Sequence, residues 1–247
     1  MIRIDIIGPP GVGKTKLLTT LVKKSRNRKW VSNYEALLKV IHSSQESVLK
    51  KIFLTFLLRS FPLRKRSFTF TRFFNTTQHY NELLSPLMET FRLKFEKTIN
   101  NSEIDTSIAF NSFHNYLLQI KEICLVQDCC KGKIVLFDES LTQHTNHTII
   151  EKIHIEKCQE AFPHGIIYLT GNLDTIKQRL LQKNIKDNNS QHFNRKVTLD
   201  VETMMKNAER KAVLFNEIGI PVLTIDTTQD LKLLCYKVNE WIDNHFL

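Results

Sequence analysis

Residues 2–21 read IRIDIIGPPGVGKTKLLTTL, a stretch few folds can accommodate. Gly8, Gly11 and Gly13 fall within six residues of one another, in a chain that holds seven glycines in all. Ahead of them Ile2, Ile4, Ile6 and Ile7 make a β-branched run, and behind them residues 15–21 carry apolar side chains at helical spacing. The glycines therefore sit at a turn from strand to helix. Such a turn binds anions, because glycine lets successive backbone N–H groups point inward and the helix N-terminus adds partial positive charge. Gly8-x4-Gly13-Lys14-Thr15 fits a phosphate-binding loop, with Lys14 directed at the β and γ phosphates and the Thr15 hydroxyl at Mg²⁺. Val12 and Lys16 complete the stretch expected to wrap the phosphates.

The remaining glycines punctuate strands. Gly132 precedes KIVLFD, Gly165 precedes IIYLT, Gly171 ends that run, and Gly219 precedes IPVLTID. These short, continuous apolar runs suit strands buried on both faces of a parallel sheet. Helical patterns at 173–182, 201–218 and 230–246 lie between or after them, which implies βαβ units with ligands at the carboxyl ends of the strands. Residues 30–131 read differently. Apolar spacing predicts helices over 34–41, 48–58, 80–95 and 113–126, and Trp30-Val31-Ser32 is a brief candidate strand. The segment reads as a helical insertion in a single domain of 247 residues, long enough to bury a sizeable core.

Charge is uneven. Residues 1–72 hold sixteen Lys or Arg against three acids, while residues 73–247 hold nineteen against twenty-two. A polyanionic small molecule or a nucleic acid would both suit the basic half, and the small molecule is the favoured partner. The run FPLRKRSFTFTRFF at 61–74 alternates basic and aromatic residues without an acid. It reads either as a connector whose Phe side chains enter the core, or as a clamp for an anion or a nucleic acid strand. No apolar run approaches the ~18 residues of a membrane span, and a first strand starting at Ile2 leaves no room for a signal peptide, so a cytoplasmic location is expected. The five cysteines show no C-x-x-C pair and read as reduced thiols.

Three further groups complete the candidate site. Asp138 ends the strand IVLFD, where a carboxylate can hold Mg²⁺ through water beside Thr15, and Glu139 after it is placed to orient or deprotonate a nucleophile. Glu35 is a second candidate base. After the strand IIYLT, LDTIKQRLLQK carries Arg179 and Lys183 on one helical face, and Lys186, Arg195 and Lys196 fall in or beside a polar loop. A basic loop beside bound triphosphate can close over it and neutralise charge that develops in the transition state.

Taken together, GPPGVGKT, IVLFDES, the strand followed by LDTIKQRLLQK, the basic loop and GIPVLTIDTTQDLKLLCYKVNEWI resemble the P-loop kinases of nucleosides and nucleotides, thymidylate kinases especially. The resemblance covers residues 1–25 and 133–247. It implies an α/β, three-layer P-loop NTPase fold with a parallel sheet and a helical insertion or cap, and a lid at about 183–197. It also implies that Arg179 packs on the base and that Lys183 lies near phosphate. Where thymidylate kinases carry Asp-Arg and deoxynucleoside kinases Glu-Arg-Ser, this chain has Asp138-Glu139-Ser140, without the arginine. The expected activity is ATP- and Mg²⁺-dependent phosphoryl transfer to a small-molecule acceptor. The alternative is hydrolysis of ATP or GTP as a switch or drive, with Glu139 polarising water and the basic half binding nucleic acid or a protein.

Overall fold

The computed structural model describes residues 1–24, 28–44, 47–60, 83–100, 106–138, 140–155, 157–186 and 201–247, the backbone alone at 57–60, 106–108 and 183–186. At its centre lies strand β1 (Ile2–Ile7). Strand β3 (Ile134–Asp138) pairs with one edge of β1 and β4 (Gly165–Thr170) with the other, both parallel. β2 (Trp30–Ser32) and β5 (Val222–Asp226) close the sheet in the order β2-β3-β1-β4-β5. The register sets Ile6 beside both Asp138 and Ile167. β1 is thus flanked by strands reached in opposite directions, the place where open parallel sheets hold ligands at their carboxyl ends.

Alternation along β1 assigns its side chains to two faces. Ile4 and Ile6 pack with Leu17, Leu18 and Leu21 of α1 (Lys14–Lys24) and with Val238 and Ile242 of α10 (Leu231–Phe246). On the other face Ile7, Val135 and Phe137 meet helices that the insertion supplies. Those are α2 (Asn33–Ser43) and α5 (Thr106–Cys129), with α4 (Leu84–Ile99) packed against α5. α3 (Val48–Ser60) follows α2 and adds Leu54 to the same core. Helices therefore cover both faces of the sheet, and the helices of 30–131 share the core of the strands.

Two differences from the sequence reading have plain causes. Of β5 only Ile225 is fully buried, because β5 is an edge strand with a neighbour on one side. Between β3 and β4 the chain forms α6 (Leu141–His144), α7 (His147–Ile155) and a 3₁₀ turn (Gln159–Ala161), none of which the pattern analysis placed. Ile149, Ile150 and Ile153 give α7 a buried stripe, but the helix spans only about two turns and so offers little periodicity. Beyond β4 come α8 (Leu173–Lys186) and α9 (Val201–Glu217).

On the face of β1 that carries Ile7, Arg3 and Asp5 are 3% and 0% exposed. Their side chains pair at 3.4 Å, Arg3 donates to the Ala161 carbonyl at 2.6 Å, and the Asp5 carboxylate accepts from the Thr142 hydroxyl at 2.5 Å. Buried charges persist only where such partners exist. Here the partners tie the α6 segment and the 3₁₀ turn to the central strand.

Candidate functional site

The strand-to-helix turn forms as its sequence requires. Gly8 lies so close to the end of β4 that a Cβ there would stand 2.6 Å from the Leu169 carbonyl oxygen. Gly13 has open space around it but adopts φ +111°, a conformation that side chains disfavour. Val12 between them is fully buried and anchors the turn in the core. From α8 the exposed Arg179 guanidinium reaches the Val12 carbonyl at 3.4 Å, so it stands beside the loop.

Lys14 opens α1 and is 7% exposed. Its ammonium donates to the carbonyls of Gly8 at 2.8 Å and Pro9 at 3.2 Å, folding across its own loop. The Thr15 hydroxyl donates to the Asp138 carboxylate at 2.8 Å. Two residues singled out 123 positions apart are thereby brought together, because β1 and β3 are neighbours and end at the same level. A hydroxyl and a carboxylate are hard oxygen donors that suit Mg²⁺, an ion that keeps several waters and takes few protein ligands. The turn packs tightly on its neighbours, since a Cβ at Gly8 would strike the Leu169 carbonyl and one at Gly11 the Leu180 side chain; the Thr15 hydroxyl and the Asp138 carboxylate at its edge fit a magnesium–phosphate ligand.

A cleft of about 550 Å³ opens beside the loop. Pro9, Pro10, Gly11, Gly13, Lys14, Thr15 and Lys16 form one side of it. The α6–α7 junction, from Gln143 to His147, and Met204, Asn207, Ala208 and Lys211 of α9 form the rest. Sequence reasoning missed this second wall. Gln143 holds it to the loop by accepting from the Gly8 N–H at 3.1 Å. Lys211 is 8% exposed and donates to the carbonyls of Thr142 at 3.1 Å and Gln143 at 2.8 Å. Burial, with the charges of Lys94 and Lys14, pushes its pKa down to about 8. One sequence signal for Lys211 existed. It sits among Val201, Ala208, Ala212 and Phe215 on the buried stripe of an amphipathic helix, where a cation is out of place unless something needs it.

Glu35 stands elsewhere. It is the third residue of a capping box with Ser32, and its other carboxylate oxygen accepts from Arg28, so this second candidate base serves as a helix cap and ion-pair partner. Glu139, Arg195 and Lys196 lie outside the described residues, as do the run 61–74 and most of the lid-like loop. Lys183 continues α8 one turn beyond Arg179, and its side chain is outside the described set. Among the described residues no helix is long and apolar enough to cross a membrane. No protein-family model matches the chain, and no curated protein matches it at a significant level.

Proposed function

We propose that the chain is an ATP- and Mg²⁺-dependent phosphotransferase of the P-loop kinase type acting on a small-molecule acceptor. One observation carries this reading. The glycine turn, Lys14 and the Thr15–Asp138 contact meet at the carboxyl end of the central strand, beside a cleft with room for a second substrate. Phosphoryl transfer asks mostly for positioning and for stabilisation of spreading negative charge, and these groups supply both.

In this account the turn orients the phosphates, and Lys14 leaves the Gly8 and Pro9 carbonyls to meet their charge. Thr15 and Asp138 would hold Mg²⁺, which when bound neutralises phosphate charge and orients the transferring group. Arg179, beside the loop on α8, would face the base, as the resemblance to thymidylate kinases implies. The α6–α7 junction and α9 would form the acceptor wall, and their polar side chains Gln143, His144, Asn146, His147 and Asn207 suit an acceptor rich in hydrogen-bonding groups.

Screening ATP consumption against pooled nucleosides, nucleotides and sugars tests the reading. The expected result is a low basal rate that one acceptor class raises, and that Lys14→Ala abolishes. Consumption that no acceptor changes favours hydrolysis as a switch or drive, and consumption that Lys14→Ala leaves intact removes the site altogether.

A further inference from the structure

We propose that Lys211 is an anion-binding residue of the cleft, one that takes a phosphate oxygen either of the nucleotide or of the phosphoryl acceptor. The proposal rests on the phosphotransferase reading and gives the cleft a second ligand-directed cation besides Lys14.

Its first support is the charge of the cleft lining. Lys14, Lys16 and Lys211 line the cleft, and no carboxylate among the described residues lines it with them. Lys94 adds a fourth cation nearby, held by the His144 carbonyl at 3.3 Å and lying over the Tyr116 ring at 4.4 Å. Burial pushes Lys94 down to about 8 as well. Buried like charges cost free energy unless an opposite charge joins them, and the cleft is where one can enter.

Geometry supplies the second support. An ammonium group carries three donors. The Thr142 and Gln143 carbonyls accept from two of them, and the third has no acceptor among the described residues. The same Gln143 whose carbonyl holds Lys211 holds the Gly8 N–H through its side chain, and the Gly8 carbonyl holds Lys14. One hydrogen-bonded path thus fixes both lysines relative to the phosphate loop. A lysine needed only to bolt α9 to the α6 segment would not have to open onto the cleft.

Calorimetric titration separates the two sources of phosphate. β,γ-Imido-ATP with magnesium is titrated into the parent, Lys14→Ala and Lys211→Met, and inorganic phosphate is then titrated into each nucleotide-saturated protein. Lys211→Met is expected to weaken one of the two ligands by about tenfold or more, as loss of a charge-assisted hydrogen bond should. A loss on the nucleotide assigns Lys211 to ATP, and a loss on inorganic phosphate assigns it to the acceptor's anionic group. Parental affinity for both ligands in a Lys211→Met protein with a parental melting temperature overturns the proposal, as does a parent that binds neither. Lys14→Ala that binds nucleotide like the parent contradicts the phosphotransferase reading instead, and the phosphate titration still judges Lys211. Should Lys211→Met fail to fold, acetylation of the parent by acetic anhydride, mapped by mass spectrometry, decides the matter. Saturating ligand should slow modification of Lys211 several-fold, and an unchanged rate overturns the proposal.

Discussion

The Thr15 hydroxyl donates to the Asp138 carboxylate across 2.8 Å, linking the first turn of the helix after β1 to the last residue of β3. This contact ties the glycine loop to the adjacent strand and presents two oxygen donors together. If they hold magnesium, Thr15→Val and Asp138→Asn should each lower magnesium-dependent turnover by about 10- to 100-fold, the equivalent of one strong polar contact. The magnesium concentration for half-maximal rate should rise in both. A variant that turns over like the parent at limiting magnesium has been assigned the wrong role.

Gly8 is expected to tolerate no side chain. A Cβ would stand 2.6 Å from the Leu169 carbonyl oxygen on a backbone at φ +148°, and neither atom belongs to a flexible side chain that could move away. Gly8→Ala should lower stability by about 1–3 kcal/mol, measured by urea unfolding. Gly13→Ala meets no neighbour and bears only the strain of its φ of +111°, so its effect should be smaller. Equal losses at the two positions would mean that the close approach at Gly8 has no energetic consequence.

The Arg3–Asp5 pair tests whether buried charge holds the wall of the cleft. Arg3→Met leaves Asp5 buried without its cation, and removing one partner of a buried pair costs about 3–5 kcal/mol. Chemical denaturation reads the loss directly. The double variant Arg3→Met with Asp5→Leu should recover much of it, since neither charge then remains. A double variant as unstable as the single one would show that the Thr142 and Ala161 contacts, not the charge balance, dominate.

Lys211 carries a pH signature with a definite sign. Burial first, then the charges of Lys94 and Lys14, push its pKa from the ordinary 10.5 down to about 8. Below about pH 8 the group is charged folded and unfolded, and its burial penalty is present in full. Between there and pH 10.5 the unfolded chain binds a proton that the folded protein has released, so the parent gains stability over Lys211→Met as pH rises. The gain should approach roughly 3 kcal/mol. Urea unfolding of both proteins at about pH 7.5 and about pH 10 measures it, and a difference that stays flat or shrinks contradicts a desolvated cation at this position.

Much of the sheet was legible because its strands are continuous apolar runs bounded by glycine, and Ile2–Ile7, Ile134–Asp138 and Gly165–Thr170 form where those runs lie. The loop was legible for a different reason, since Gly8, Gly13, Lys14 and Thr15 are local in sequence and local in space. The second wall of the cleft was not. Gln143 and Lys211 meet the loop only through the strand order, which brings the segment after β3 beside β1. No spacing rule connects residues 8, 143 and 211. Glu35 shows the converse, where a carboxylate just after a strand reads as a base but has the capping-box spacing Ser32-x-x-Glu35, and the local role prevails. β5 was expected to be buried on both faces because Val222–Asp226 is apolar, whereas its exposure depends on edge position, which composition does not encode.

Following the γ-phosphoryl group itself separates transfer from hydrolysis. ATP labelled at that position is incubated with magnesium, the acceptor class found by screening, and either the parent or Lys14→Ala. The parent is expected to move the label onto an organic acceptor, with little appearing as inorganic phosphate when the acceptor is omitted, and Lys14→Ala to move none. Label released as inorganic phosphate at a rate no acceptor alters, or transferred equally well by Lys14→Ala, would contradict the phosphotransferase reading.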